Sequence, residues 1–144
     1  MKTQFATDAW MRATKLALGR STTFRDVARN WRSDFYCVVK AGNTVPQDLY
    51  LYFDLRYGEC VEAVRVSDPS QRLPEIVLEG SLEAWQRVFQ KKLSLLQALM
   101  TKELLVTSGV SVKIMGAPKA AQEFINCLAA IDTEWPDDSN PIRS

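Results

Sequence analysis

The residue types that carry most enzyme chemistry are thinly represented in this chain of 144 residues. It contains no histidine, which removes the commonest general base, the Ser-His and Cys-His nucleophile pairs and most zinc sites. Its three cysteines, Cys37, Cys60 and Cys127, are far apart and form no Cys-x-x-Cys pair, so we predict buried thiols. There is no phosphate-binding loop, nucleophile elbow or dinucleotide motif, and we predict neither a metal nor a cofactor.

Two pairs of charged residues are the remaining candidates for acid–base chemistry. Glu79 and Glu83 lie on either side of a predicted strand-to-helix junction, where acids favour the positive end of the helix dipole. Asp54 and Arg56 share one face of a predicted strand, which is typical of a surface ion pair worth about 0–1 kcal/mol. Neither pair has the spacing that singles out an acid and a base, so we predict a protein that is not an enzyme.

A basic segment at the N-terminus is a candidate for binding an anion. Residues 1–32 hold seven Lys and Arg against two Asp. Arg25, Arg29 and Arg32 recur along one face of a short helix predicted over Phe24–Trp31, where three guanidinium groups could hold a phosphate, a carboxylate or an anionic headgroup. A solvated helix face is the alternative explanation. The whole chain has a net charge of only +1, which argues against a nucleic-acid partner.

The elements that must position these residues follow from the spacing of the apolar side chains. Alternation predicts strands near residues 34–39, 49–56, 60–66, 75–79 and 103–107, with a tight turn over 57–59. Helical spacing predicts a first helix from Asp8, as its N-cap, to Leu18, with Gly19 as its stop. It also predicts helices over 24–31, over 82–90 with Ser81 as N-cap, over 93–100, and from Pro118 onward, while 110–115 fits either a strand or a helical turn. The short connections favour a meander. We predict one domain over residues 1–132 and an extension over 133–144 with little structure.

The helices after residue 80 carry an unusual amount of apolar surface. The run Leu93–Met100 is apolar on nearly all sides, which is typical of a helix that is buried or that faces something apolar other than protein. Together with the final helix it could cover one face of a small sheet and leave a cavity, and pockets of about 300–1,000 Å³ for apolar ligands are lined by such side chains. Simple core packing explains the same residues.

Two blocks of sequence follow a recognisable order of elements. Glu75–Trp85 contains a strand, a Gly-Ser junction, an acidic residue and an aromatic residue. Leu99–Val110 contains the end of a helix and a short strand with Leu104 and Val106 as its inward residues. This order resembles the sterol-carrier-protein-2-like family, and the similarity is best over residues 49–131.

The resemblance implies an α+β fold in which an antiparallel or mixed sheet of about five strands is covered on one face by helices, with a hydrophobic cavity between. It also implies a carrier of fatty acids, acyl-CoA esters or sterols that does not catalyse a reaction. Desolvation would drive binding at about 25 cal/mol per Å² of apolar surface. The expected lining residues are Trp85, Val88, Phe89, Leu96, Leu99, Met100, Leu104, Val106, Phe124 and Leu128.

The resemblance also implies a lipid or acyl-CoA ligand and a transient membrane contact. Arg25, Arg29 and Arg32 would then contact the anionic group of the ligand or of the membrane. The sequence leaves open whether the protein forms an oligomer. The competing hypothesis is a protein–protein interaction or accessory domain of the same fold whose cavity is filled. An enzyme acting on acyl-CoA ranks last, because nothing replaces the missing histidine. The start lacks the apolar run of a signal peptide and no stretch reaches the ~18 apolar residues of a membrane span, so we expect a cytoplasmic location.

Overall fold

The structure, a computed structural model, describes residues 2–109 and 112–142. The helices in these ranges are α1 (Asp8–Arg20), α2 (Thr22–Val27), α3 (Leu82–Phe89), α4 (Leu95–Met100), α5 (Val112–Met115) and α6 (Pro118–Ala129). The strands are β1 (Thr3–Gln4), β2 (Arg32–Val39), β3 (Leu49–Arg56), β4 (Glu59–Val66), β5 (Ile76–Gly80), β6 (Leu104–Ser108) and β7 (Thr133–Glu134). The ambiguous stretch 110–115 resolves into α5 from residue 112, and residues 110 and 111 lie outside the described residues. The α+β class and the five main strands are confirmed.

The main sheet has the strand order β4-β3-β2-β5-β6. The predicted meander is therefore wrong after β4, because β5 pairs in parallel with β2, with Phe35 opposite Ile76. The chain reaches this position by crossing the outer face of the sheet, where the Tyr36 hydroxyl donates a hydrogen bond to the Pro69 carbonyl at 2.9 Å. Alternation along one strand specifies which of its faces is buried, but not which strand becomes its neighbour. The meander was predicted from the length of the connections alone, and that length does not determine the strand order.

A two-residue turn joins β3 to β4 within the predicted turn over 57–59, and Glu59 is already the first residue of β4. Tyr57 and Gly58 have φ angles of 53° and 86°, and two successive positive values are the geometry that suits a tight hairpin. A Cβ atom on Gly58 would lie 2.7 Å from Cα of Arg25, so glycine is also required here by the close approach of α2.

The N-terminal helix differs from its predicted bounds at both ends. Thr7, and not Asp8, is its N-cap, with Oγ1 accepting a hydrogen bond from the backbone N–H of Trp10 at 3.2 Å. Gly19 lies inside the helix and does not end it. The helix continues to Arg20, and Ser21, its C-cap, is also the N-cap of α2. The Ser21 hydroxyl accepts a hydrogen bond from the backbone N–H of Phe24 at 2.9 Å.

The helices pack on one face of the sheet, as expected. Phe35 and Phe53 point to this inner face and meet the ring of Phe124 from α6 at centroid distances of 5.4 and 5.1 Å. A second aromatic cluster joins α1, α3 and the chain termini, with rings from Phe5, Trp10, Phe89 and Trp135. None of the described helices has the length and apolar character that crossing a membrane requires.

The C-terminal segment packs against the body, although prolines and aspartates suggested little structure there. Strand β7 pairs in parallel with β1, Trp135 stacks on Phe5 at 4.5 Å, and the backbone N–H of Ile142 donates to the Thr44 carbonyl at 2.8 Å. Ile142 is buried. Two apolar side chains in an otherwise polar tail thus gain enough burial to order it. Residues 143 and 144 lie outside the described residues.

Candidate functional site

An open apolar groove of about 380 Å³ lies between α4, α5 and α6. Its volume falls within the range of about 300–1,000 Å³ that is typical of small-molecule sites. Its apolar walls come mainly from α4 and α5, with the first turn of α6 closing one side. The lining residues are Ser94, Leu95, Leu96, Leu99, Ile114, Met115, Pro118, Lys119, Ala121 and Gln122.

A small void of about 20 Å³ lies behind the groove. The void and the groove share Leu95, Ile114 and Ala121, so these three side chains form the wall between them. The exposed walls of the void are entirely apolar, and its volume is little more than one water molecule needs. Its other lining residues are Trp31, Phe35, Leu78, Trp85, Phe124 and Ile125.

Helix α4 supplies three of the apolar side chains that line the groove, because it is apolar on more than one side. Its N-cap, Ser94, accepts a hydrogen bond from the Gln97 backbone N–H at 3.0 Å, which sets the start of the helix. Ala98 is fully buried against the body, while Leu95 and Leu99 are half-buried and line the groove. The remaining apolar side chains of this helix are exposed. The helix therefore faces both protein and open space, as its composition suggested.

Aromatic side chains form the floor of the void. The Trp85 indole donates a hydrogen bond from Nε1 to the Val38 carbonyl at 2.9 Å, so the ring is fixed against strand β2. Trp85 also stacks on Phe89, with centroids 5.5 Å apart. On the other side, Phe124 is held between the rings of the two sheet phenylalanines. We infer a floor that is stiffer than the aliphatic wall formed by Leu95 and Ile114.

The structure places the ten expected lining residues in different surroundings. Four line the groove or the void, namely Leu96, Leu99, Trp85 and Phe124. Five lie in the packed body and line neither space, namely Val88, Phe89, Leu104, Val106 and Leu128. Met100 is exposed at the end of α4.

Sequence reasoning missed the wall residues Leu95, Ile114 and Ala121. The sequence indicated only some of these three residues as apolar positions of a helix. Leu95 lay in the apolar run already singled out, and Ala121 lay in the predicted final helix, but Ile114 belonged to the stretch that fitted two kinds of element. Periodicity does not distinguish a side chain that fills the core from one that borders a gap, because both are apolar.

The three arginines do not form one helix face, contrary to the predicted helix over 24–31. Helix α2 ends at Val27, which places Arg29 in the following turn and Arg32 in β2. Arg25 donates from Nη2 to the Gly19 carbonyl at 2.8 Å, and Arg29 lies 3.7 Å from the Asp26 carboxylate. The helix stops because the chain must turn to enter the sheet. The role of these residues as an anion contact remains a prediction.

Charged and polar side chains on the outer face of the sheet are paired with one another. Asp54 and Arg56 form the predicted ion pair at 3.0 Å, with the carboxylate more buried than expected for a surface pair. Glu62 accepts two hydrogen bonds from Arg72, and this guanidinium lowers the pKa of Glu62. The Tyr52 hydroxyl donates to Asp34 at 2.8 Å, and burial together with this carboxylate raises the pKa of Tyr52. Across residues 2–109 and 112–142, no cluster of His, Cys, Asp and Glu could hold a metal ion.

The fold is similar to those of solved sterol carrier proteins. A crystal structure of sterol carrier protein 2 superposes with a TM-score of 0.81 at 26% identity, covering 89% of this chain and 99% of that chain. A conserved hypothetical protein from Thermus thermophilus, suggested to be a sterol carrier protein, gives a TM-score of 0.82 at 25% identity and 96% coverage of both chains. Palmitated sterol carrier protein 2-like 2 from Aedes aegypti gives 0.52 at 12% identity, covering 90% of this chain and 100% of that chain.

By sequence alone, no family model and no curated protein matches the chain. The structural match nevertheless extends over almost the whole of both chains in the two more similar cases. The chain therefore has the sterol-carrier-protein-2 fold, which confirms the resemblance seen in its sequence.

Proposed function

We propose that this protein binds a long-chain apolar ligand, such as a fatty acid, an acyl-CoA ester or a sterol-like lipid, and carries it without chemical conversion. The groove between α4, α5 and α6 is the observation that carries the proposal, since it is open, apolar and backed by an apolar void. The similarity to sterol carrier proteins, one of them palmitated, supports the same conclusion.

Desolvation supplies the binding energy of such a site. Burial of ten methylene groups contributes about 8 kcal/mol before the entropy of binding is subtracted. A chain lying in the groove would contact Leu96, Leu99 and Met115, whose flexible side chains adapt to a variable ligand. Deeper insertion requires Leu95 and Ile114 to rotate away from the void, and the fixed rings of the floor then limit its depth.

A carrier needs no catalytic group, and the composition of the chain agrees with this role. The sequence has no histidine. The two ion pairs described above hold their carboxylates on the outer face of the sheet, away from the groove. We therefore place no reaction at the groove.

The small size of the enclosed void favours one alternative, a protein-binding domain whose interior is filled. Four of the expected lining residues, Val88, Phe89, Leu104 and Leu128, are buried in packed core. In that case the groove would be a surface feature, and lipid probes would find no saturable site.

The deciding experiment measures ligand on the purified protein. We expect native mass spectrometry to detect copurified lipid, and a fluorescent long-chain fatty acid to bind saturably with low-micromolar affinity. Leu99→Asp should weaken binding at least about tenfold, because it places a charge on the apolar wall. Leu73→Asp is the matched control, since Leu73 is 94% exposed in the connection that crosses the opposite face of the sheet. Bare protein together with no saturable binding would overturn the proposal.

A further inference from the structure

A second open space lies beside the groove, where the chain between α2 and β2 approaches the start of α6. Its volume is about 630 Å³, compared with about 380 Å³ for the groove. One wall consists of Asn30, Trp31 and Arg32, and the other is formed by residues 116–120. We call this space the α6 cleft. It is large enough to hold a group much bulkier than a carboxylate.

The α6 cleft and the groove meet at the first two residues of α6. Pro118 and Lys119 line both spaces. Lys119 is also the one charged residue among the described residues that line the groove. Trp31 in turn lines both the α6 cleft and the void behind the groove. An elongated ligand can therefore lie with one end on the leucines of α4 and the other end in the α6 cleft.

The α6 cleft is basic. Arg32 and Lys119 line it from its two walls, and no acidic residue occurs among the described residues of its lining. Both side chains are exposed, so they can reach a ligand in the cleft. Lys119 forms no salt bridge with a carboxylate in the described part of the chain. A cleft lined by charges of one sign concentrates ligands of the opposite sign, so this cleft favours an anionic group.

The two cations match a phosphate better than a carboxylate. A phosphate monoester carries a charge of about −1.5 to −2 at pH 7 and three strong acceptor oxygens. The planar guanidinium of Arg32 can donate to two of these oxygens, and the Lys119 ammonium supplies a second, point-like charge. A carboxylate carries a single charge and would leave most of the cleft empty. A sterol offers these cations only a hydroxyl group.

We propose that the α6 cleft holds the phosphate-bearing head of an acyl lipid whose chain lies in the groove, with Arg32 and Lys119 as the residues that select this head. The inference rests on the proposed function, because it needs an acyl chain in the groove. It narrows the ligand to a phosphorylated amphiphile and ranks neutral lipids such as sterols last. The phosphate belongs either to a glycerophosphate or to a coenzyme A ester, and the test distinguishes these sources.

This anion site differs from the arginine stripe expected from the sequence. Of those three arginines, Arg32 is the one that lines the α6 cleft, whereas Arg29 pairs with Asp26 and Arg25 donates to the Gly19 carbonyl. Lys119, which the sequence did not single out, supplies the second cation from α6. The site therefore depends on the packing of α6 against α2 and is not a property of one helix face.

Competition between two matched lipids tests the proposal. Palmitoyl lysophosphatidate and monopalmitoylglycerol have the same chain and the same glycerol, and they differ by the phosphate alone. Each is used to displace the fluorescent fatty acid, and the ratio of their affinities does not depend on how that probe binds. We expect the wild type to bind the lysophosphatidate at least about tenfold more tightly. This preference should shrink as salt is raised.

Charge-removing variants locate the source of the preference. Lys119→Gln and Arg32→Gln should each reduce the preference about fivefold, and the double variant should bind the two lipids about equally. Lys92→Gln is the matched control, since Lys92 is exposed and lines neither the cleft nor the groove. Leu99→Ala, on the apolar wall, should weaken both lipids alike and leave their ratio unchanged.

Two further ligands with the same chain, palmitoyl-CoA and palmitate, identify the source of the phosphate. Palmitoyl-CoA that binds more tightly than the lysophosphatidate supports a coenzyme A head, and the reverse order supports a glycerophosphate head. In either case the tighter of the two should bind at least about fivefold more tightly than palmitate. Lys119→Gln should weaken that lipid more than it weakens palmitate.

Three results would overturn the assignment of the α6 cleft. The first is equal binding of the lysophosphatidate and monopalmitoylglycerol by the wild type. The second is palmitate that binds as tightly as both phosphorylated lipids. The third is a loss of preference in Lys92→Gln as large as that in Lys119→Gln, since this would reflect the net charge of the protein and not the cleft.

The same assay separates this failure from failure of the proposed function. Wild-type protein that binds monopalmitoylglycerol saturably, with no preference for the lysophosphatidate, refutes the head site and leaves the carrier function standing. Wild-type protein that binds neither the fluorescent fatty acid nor any of the four lipids refutes the carrier function and, with it, this inference.

Discussion

The indole Nε1 of Trp85 donates a hydrogen bond to the Val38 carbonyl at 2.9 Å, which ties helix α3 to the central strand β2. Both residues are buried, and the same indole ring forms part of the floor of the void behind the groove. A single side chain thus connects the stability of the sheet with the shape of the candidate site.

Trp85→Phe should destabilise the protein by about 1–3 kcal/mol, because it removes the donor and leaves a buried carbonyl without this bond. Urea unfolding followed by circular dichroism measures the change. Trp135→Phe is the control, since Trp135 is half-buried and can keep its stacking on Phe5 as phenylalanine. Equal stability of Trp85→Phe and the wild type would show that the bond contributes nothing.

Leu96→Ala and Leu128→Ala should behave very differently. Leu96 is half-exposed at the groove, so its truncation should cost less than about 1 kcal/mol and weaken fatty-acid binding. Leu128 is buried in packed core, so its truncation should cost about 2–5 kcal/mol. Thermal unfolding and probe titration of both variants check this. A large loss of stability for Leu96→Ala would instead indicate a filled core around α4.

The Glu62–Arg72 pair should make stability depend on pH on the acid side. Arg72 lowers the pKa of Glu62 in the folded protein, with burial opposing part of the effect. The pair therefore stabilises the fold above the ordinary glutamate pKa of about 4.3, and this contribution is lost as the pH falls below that value through the folded-state pKa. Because both side chains are about one-third exposed, the contribution at pH 7 is below about 1 kcal/mol.

Unfolding by urea at pH values from 7 down to 3 tests this expectation. Glu62→Gln should lower stability at neutral pH and flatten the decline below about pH 4.3. Glu59→Gln, which changes an exposed residue at the start of the same strand, should leave the decline unaltered. An identical pH profile for Glu62→Gln and the wild type would contradict the assignment.

The three thiols should be unreactive in the folded protein. Burial raises the pKa of Cys60 to about 12, and it also raises the pKa values of Cys37 and Cys127. At pH 8 the thiolate, which is the reactive form, is therefore scarce. We expect iodoacetamide to label the native protein slowly and the urea-unfolded protein at all three cysteines, as read by mass spectrometry. Fast labelling of native Cys60 would be the contrary result.

Local elements were predictable from local patterns. The strand over Leu49–Arg56 and the turn at Tyr57 and Gly58 follow from alternation and from the turn preference of glycine. Ser81 and Pro118 likewise marked the starts of α3 and α6. These signals act within a few residues, so they survive in any tertiary setting.

The features that were predicted wrongly depend on contacts between residues that are distant in sequence. The parallel pairing of Phe35 with Ile76 joins residues that are distant in sequence, and no local pattern encodes it. Helix α2 ends at Val27 because β2 begins at Arg32, and this broke the expected arginine stripe. The apolar side chains after residue 80 were identified correctly as a group, but their division between core and groove was not predictable, because Leu99 and Leu128 differ only in what packs against them.

The amino-acid sequence by itself determined the α+β composition, the absence of histidine-based chemistry and the surplus of apolar side chains on the C-terminal helices. Only the tertiary structure decided where that surplus goes. The reason is geometric: Trp85 and Phe124 pack against the sheet, whereas Leu95 and Ile114 lie between the small void and the open groove.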